Sequence, residues 1–353
     1  GTLPDLFREW TRLEDFFLNS NYIEGRLPES LMSARHSAAL KNLDLGNNWL
    51  DGPVPTDLGN LKSLRRLSLY ENEFTGRLPS SIGRCSDLRD LYLDSNALTG
   101  PLPDELYTLS DLVDLRLRRN KLTGTLSEQI FRLRDLEILY MDTNEFTGGI
   151  PFRLDDVPRL EEIHLYGNRL TGTLPPELNE LHHLKVLYLD TNRLTGSLPN
   201  EWASFLHDLR QLFLYDNELT GTLPEVMGRM EDLIDLRLNG NRFGGTLPDS
   251  LGTLFHLEHV ALENNRFEGN VPDSFGQLEK LQALKLHNND LRGTIPPSVC
   301  ALTLAAESES ESSGSLEILS SDCRGSPTPP LTCECCTRCF DSDDDDQGDG
   351  TGL

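Results

Sequence analysis

Twelve asparagines, Asn21, Asn48, Asn72, Asn96, Asn120, Asn144, Asn168, Asn192, Asn217, Asn241, Asn265 and Asn289, recur along the chain. They are 24 residues apart, save one step of 27 (21 to 48) and one of 25 (192 to 217). Around each runs L-x-x-L-x-L-x-x-N-x-L-x-G-x-L-P, as in LRRLSLYENEFTGRLP (64–79). A fixed period of this length means stacked units, each unable to bury its apolar face alone. It overrides the two-domain expectation that 353 residues would otherwise set.

Each letter of the repeat has a physical task. The short L-x-L alternates with period 2, so it predicts a strand with both Leu pointing inward. Identical units stacked in one direction make those strands parallel. The Asn stands where the chain leaves the strand, and its amide offers donors and an acceptor to turn backbone groups that no ladder reaches. The Gly permits a backbone conformation that other residues resist. The Pro starts a stiff, 3₁₀-like segment.

L-T-G-x-L-P, as in LTGTLP at 170–175 and again at 219–224, resembles the plant-type class of leucine-rich repeats over residues 1 to 300. The departures are small: Ser127 replaces the Pro of its repeat and Gly244 the Thr. The resemblance implies an α/β repeat solenoid, a right-handed superhelix or horseshoe. Its parallel β-sheet would line the concave face, with a mostly 3₁₀ or irregular convex side. The opening GTLPDLF matches the second half of a repeat, with Phe7, Trp10 and Leu13 at apolar positions. No end cap precedes it, so the sequence reads as part of a longer protein. That leaves room for a signal or a membrane anchor in the flanking sequence.

Past residue 300 the repeat gives way to TLAAESESESSGS (303–315), which reads as a flexible loop. Six of the seven cysteines follow or flank it: Cys300, Cys323, Cys333, Cys335, Cys336 and Cys339. CECCTRC has thiolate spacing that suits Zn²⁺. An even set at a solenoid end reads better as a disulfide-stapled cap over 301–340, with fifteen pairings open. That reading sets an oxidising compartment, outside the cell or at its surface. The pattern DC…C-x-C-C-T-x-C-F resembles the C-terminal caps of leucine-rich repeat proteins from diatoms and related algae. Cys85 fills the slot of Leu61, Leu109, Leu133 and Leu181, and so is expected to be a buried, free thiol. The end, 341–353, reads as an acidic, solvated tail. It fails as a calcium loop, since Asp346 stands where Gly is needed and Gly352 where Glu is needed.

Chemistry beyond binding is not indicated. The eight His are scattered, and no G-x-S-x-G, H-E-x-x-H or phosphate-binding loop occurs, so no catalytic residue, cofactor or metal is assigned. A net charge of -25 speaks against nucleic acid. There is no apolar run of the roughly 18 residues that would span a bilayer.

The intervening positions of the strand are left to explain. The middle of L-x-L gives the row Tyr92, Arg116, Tyr140, His164, Tyr188, Phe213 and Arg237. Two residues on comes a second: Tyr70, Asp94, Arg118, Asp142, Tyr166, Asp190 and Tyr215. Six of eight tyrosines fall on these rows, which the scaffold does not require. Aromatic enrichment on an open sheet points to a binding surface for a protein, peptide or oligosaccharide. The competing reading is sheet chemistry: Tyr favours strands, and Asp94, Arg118 and Asp142 would neutralise one another across neighbouring strands.

Arg116 and Arg118 in LRLRRN also resemble the R-x-R element with which some plant peptide-hormone receptors hold a ligand's free carboxylate. Six strand steps of about 4.8 Å make the aromatic band roughly 29 Å long. At about 3.3 Å per residue, roughly nine residues of extended peptide would cover it. A short oligosaccharide would fit equally. The expected function is extracellular recognition on the inner face. A structural or adhesive surface protein and an inhibitor of a secreted hydrolase are the alternatives.

Overall fold

A computed structural model describes residues 1–33, 39–151, 159–304, 316–324 and 331–341. Of the loop read from the sequence at 303–315 and the tail at 341–353, residues 305–315 and 342–353 lie outside the described residues; 303–304 instead end a helix, Pro297–Leu304, and Asp341 ends a strand, Arg338–Asp341. Contacts group the chain into two compact units, residues 1–193 and 194–353.

In the first unit the L-x-L segments are short parallel strands, among them Asn42–Asp44, Arg66–Ser68, Asp90–Tyr92, Asp114–Arg116, Ile138–Tyr140, Glu162–His164 and Val186–Tyr188. The register sets Leu43 on Leu67, Leu67 on Leu91, Leu91 on Leu115 and Leu115 on Leu139. Each of these Leu side chains is buried, contributing about 1.5–3 kcal/mol apiece. The 24-residue period thus becomes a column of leucine, one layer per strand.

The Asn amides do what the sequence required of them. Asn144 Nδ2 donates to the carbonyls of Leu117 (3.0 Å), Asp142 (3.1 Å) and Met141 (3.2 Å). Its Oδ1 accepts from Leu122 N at 3.0 Å. The residue before each Asn is left-handed, for example Ser95 at φ 54°, Arg119 at 53° and Thr143 at 53°. Most non-glycine side chains resist that conformation, so at these positions the amide network holds the turn, while Gly167, Gly240, Asn47, Asn264 and Asn288 adopt it more readily.

A second row of parallel strands, not foreseen from the sequence, follows the Asn. It runs through Glu24–Arg26, Trp49–Pro53, Glu73–Gly76, Ala97–Gly100 and Lys121–Leu122. The repeat's Gly, in or just after each such strand, has positive φ, and closes two of them at Gly76 (75°) and Gly100 (78°). The Pro then precedes a 3₁₀ segment, as at Thr56–Asn60, Ser80–Arg84 and Asp104–Thr108. Where Ser127 replaces Pro, its hydroxyl accepts from Gln129 N at 3.2 Å. A side-chain cap stands in for a fixed φ.

The second unit repeats the pattern in Gln211–Phe213, Asp235–Arg237, His259–Ala261 and Ala283–Lys285, again with Leu212 on Leu236 and Val260 on Leu284. The 25-residue step is absorbed by a helical turn, Trp202–Phe205, in place of the 3₁₀ segment. At its far end the ladder continues through Ile318–Arg324 and Arg338–Asp341. There Cys300 is bonded to Cys335 and Cys333 to Cys336. Cys339 is also in a disulfide, while the Cys323 side chain lies outside the described residues. Cys85 is buried and free, and burial pushes its thiol up to about 12.

Candidate functional site

The strands of the first unit carry the rows read from the sequence, but their side chains are not equally open. Tyr92, Arg116, Tyr140, His164 and Tyr188 are half-buried and form one continuous column. The Arg116 guanidinium lies 4.9 Å from the Tyr92 ring centre and 5.2 Å from that of Tyr140. Tyr140 stacks on His164 at 4.0 Å, and His164 on Tyr188 at 4.4 Å. Adjacent strands are spaced about 4.8 Å apart, so rings on successive strands meet face to face. Tyr70 and Tyr166 flank this column; Tyr166 meets Tyr188 edge-on at 6.4 Å.

A third row completes the face, and the sequence reading missed it. Asp114, two residues before Arg116, takes the Arg116 fork, with Nε to Oδ1 at 3.0 Å and Nη2 to Oδ2 at 2.8 Å. It also accepts the Tyr92 hydroxyl at 3.0 Å. Glu162 accepts the Tyr140 hydroxyl, and Asp90 takes Arg66 at 2.8 Å. The signal was available, since period 2 carries Tyr92 back to Asp90 and Arg116 back to Asp114. The second unit repeats the device: Arg237 forks onto Asp235 at 3.0 and 2.9 Å and lies 4.5 Å from the Phe213 ring. Phe213 and Tyr215 sit 6.3 Å apart there. The tetrapeptide D-L-R-L, at 114–117 and 235–238, marks both places.

Two expectations change. Asp94, Asp142 and Asp190 were to stand on the water-facing sheet, yet they are only 7%, 0% and 2% exposed. Larger neighbours such as Tyr166 and Arg118 reach across them. Asp94, Arg118 and Asp142 do stand together as opposed charges, but as a loose group and not as hydrogen-bonded neighbours. Arg118 Nε stays 3.9 Å from Asp94 Oδ2, and Asp94 Oδ1, Arg118 Nε, Asp142 Oδ1 and His164 Nε2 are buried without hydrogen-bond partners. Burial raises the carboxyls of Asp94 and Asp142 above their ordinary range. Burial, then the charges of Arg118 and Arg116, lowers His164 to about 4. Burial foremost, with Asp114 beside it, pushes Tyr92 up to about 12.

Among the described residues no group of His, Cys, Asp and Glu is arranged to hold a metal ion, and no helix is long and apolar enough to cross a membrane. What the described residues of this face offer is ring edges, hydroxyls, forked guanidiniums and buried carboxylates.

Comparison with known proteins agrees with the repeat. The family model for the leucine rich repeat matches residues 39–61, 63–85, 87–109, 159–181, 256–278 and 280–302, and a second model of the same repeat matches 182–243. No curated protein matches the chain significantly. Solved structures do. The plant peptide hormone receptor RGFR1, in complex with RGF2, is 28% identical, with a TM-score of 0.84 over 91% of this chain and 49% of that one. The ectodomain of the receptor kinase GASSHO1/SCHENGEN3 from Arabidopsis thaliana, in complex with CASPARIAN STRIP INTEGRITY FACTOR 2, is 32% identical, with a TM-score of 0.79 over 86% and 39%. The Leptospira interrogans protein LIC12759 is 30% identical, with a TM-score of 0.62 over 82% and 76%. The chain spans half or less of the length of the two plant receptors.

Proposed function

Because the chain belongs to the leucine-rich repeat family, we propose that it is a non-enzymatic, extracellular recognition module that holds a peptide on the face bearing Tyr92, Arg116, Tyr140, His164 and Tyr188. The observation that carries this reading is the column itself. Its rings are stacked on one another and on a guanidinium, so their flat faces are already covered. A sugar binds aromatic side chains by laying C–H groups on an open ring face. Between Arg116 and Tyr188 such faces are taken, and what points outward is ring edges and hydroxyls, which suit the carbonyls and side chains of a peptide.

Two structural neighbours, RGFR1 and GASSHO1/SCHENGEN3, were solved in complex with RGF2 and CASPARIAN STRIP INTEGRITY FACTOR 2, and RGFR1 is titled a peptide hormone receptor. The Cys300–Cys335 and Cys333–Cys336 bonds support an oxidising compartment, with 301–340 serving as a C-terminal cap.

The test presents the full chain with peptide and glycan arrays. It then titrates the best binder against Tyr92→Ala and Tyr188→Ala, with exposed His182→Ala and His183→Ala as the control. We expect peptides to bind and the tyrosine variants to lose at least tenfold, about 1.4 kcal/mol. Glycan binding alone, or loss only in the histidine controls, overturns the assignment. Binding of neither class favours a spacer role.

A further inference from the structure

Among the described residues of this face, the Asp94–Arg118–Asp142 cluster and the neighbouring His164 Nε2 hold buried polar atoms without a hydrogen-bond partner. Arg116 is committed to Asp114, Arg66 to Asp90, and Glu162 holds a hydroxyl. Beside these closed pairs stand two carboxylates, 7% and 0% exposed, each with one oxygen lacking a donor. The cation between them, Arg118, keeps 37% of its side chain exposed, and its Nε bonds to neither. A buried acceptor left without a donor costs about 1–3 kcal/mol. Two of them, on the layers either side of Arg118, make an arrangement that an incoming donor stabilises.

We propose that Asp94 and Asp142 form a subsite for a cationic side chain of the bound peptide, a lysine ammonium or an arginine guanidinium, with Arg118 as the resident cation it displaces. This rests on the peptide reading above and gives that peptide its chemistry. It reverses the role that the Arg-x-Arg resemblance implied. Arg116 has its fork filled by Asp114 and both faces covered by Tyr92 and Tyr140, so it is not open to a ligand carboxylate. Local charge agrees in sign: with Asp114 and Asp90 paired off, Asp94 and Asp142 share Arg118 as their nearest cation. At -25 the whole chain attracts cationic partners as well. That general attraction is what the controls must remove. When the ligand's cation enters, Arg118 swings toward solvent on its flexible stem, and the two orphan oxygens gain charge-assisted hydrogen bonds.

The experiment selects from random nonapeptides displayed internally in a carrier protein, so that no peptide carries a free terminus, against the full chain. Enriched peptides are then synthesised with blocked ends and titrated by fluorescence polarisation. The variants are Asp94→Asn/Asp142→Asn and Arg118→Ala, with a charge-matched control, Asp87→Asn/Asp111→Asn, at two exposed positions. Thermal melting confirms that each variant folds.

We expect a Lys or Arg at a fixed place in the enriched set and at least tenfold weaker binding to the Asp94→Asn/Asp142→Asn protein. The charge-matched control should change affinity by less than twofold. Arg118→Ala should bind severalfold more tightly, because the competing cation is gone. A carboxylate-holding role for Arg118 requires the opposite sign, so this variant decides the matter even if the asparagine pair folds poorly. Enriched peptides without a basic residue, equal losses in the control, or weaker binding to Arg118→Ala overturn the cation subsite while leaving the peptide reading standing. No enrichment at all overturns both.

Discussion

Arg116 is held by Asp114, two residues back on its own strand, through Nε at 3.0 Å and Nη2 at 2.8 Å. Alternation on a strand puts i and i+2 on one face, and the guanidinium folds back along that face between two tyrosine rings. Asp114 is 6% exposed, so the pair is nearer to a buried ion pair than to a surface one. Removing one partner strands the other.

Arg116→Met is therefore expected to lower stability by about 1–3 kcal/mol, because it leaves the Asp114 carboxylate with little beyond the Tyr92 hydroxyl. A freely solvated residue would give about 0.5 kcal/mol or less. The double variant Arg116→Met/Asp114→Leu should recover part of the loss. Thermal melts of the three proteins check this, and purely additive losses would rule the coupling out.

The Asn column gives a second expectation. Asn144→Ala removes three donated bonds and the acceptor for Leu122 N, leaving buried groups unpaired at about 1–3 kcal/mol each before relaxation. Glu145, next in sequence, is half-buried and pairs with Arg169 at 3.1 Å. Both members of that pair are more than a third exposed, so Glu145→Ala should cost about 0–1 kcal/mol. Equal melting temperatures for the two variants would refute the amide's role.

His164 gives the fold a pH dependence. Its folded value, near 4, lies below the ordinary 6.5. As pH falls through 6.5 the unfolded chain takes up the proton before the folded one does. The stability contributed by neutral His164 is complete above about pH 6.5 and is lost progressively toward pH 4. His164→Phe keeps a ring between Tyr140 and Tyr188 but cannot protonate. Melting temperature measured from pH 7 to 4.5 should fall more steeply for the parent than for this variant. Parallel curves would place the titration elsewhere.

Cys85, its thiol pushed up to about 12 by burial, should resist alkylation in the native protein and react on unfolding. Mass spectrometry of unreduced, unfolded protein should find one labelled thiol, at Cys85, and peptides joined through Cys300–Cys335 and Cys333–Cys336. Labels on the C-terminal cysteines without prior reduction would contradict the bonded cap.

How much of this was legible in the sequence follows from what each residue obeys. Leu67, Leu91 and Asn96 answer to one rule repeated in every layer, so period alone assigned them. The left-handed residue before each Asn has half a signature: Asn47, Gly167, Asp216, Gly240, Asn264 and Asn288 tolerate that conformation, but Glu71, Ser95, Arg119 and Thr143 occupy it too, and there the neighbouring layers impose the turn. Asp114 and Glu162 carry no aromatic ring to single them out, although alternation places them on the same face as Arg116 and His164. The burial of Asp94 and Asp142 depends on how far Tyr166 and Arg118 lean across them. Side-chain reach between strands is not encoded in spacing.

The direction of the Asn bonds carries a consequence for how such a chain comes into being. Asn120 accepts from Leu98 N, Asn144 from Leu122 N and Asn168 from Phe146 N, always from the layer before. For these turn N–H groups, each layer is thus completed by its successor. A chain leaving the ribosome, N-terminus first, holds one unfinished layer at its growing edge and seals it when the next asparagine emerges. Trimming from the C-terminal side takes the acceptor from one such turn N–H at each layer, whereas trimming from the N-terminal side frees an asparagine donor together with the strand-entry N–H groups, such as Glu137 and Ile138, that lean on the preceding layer's carbonyl.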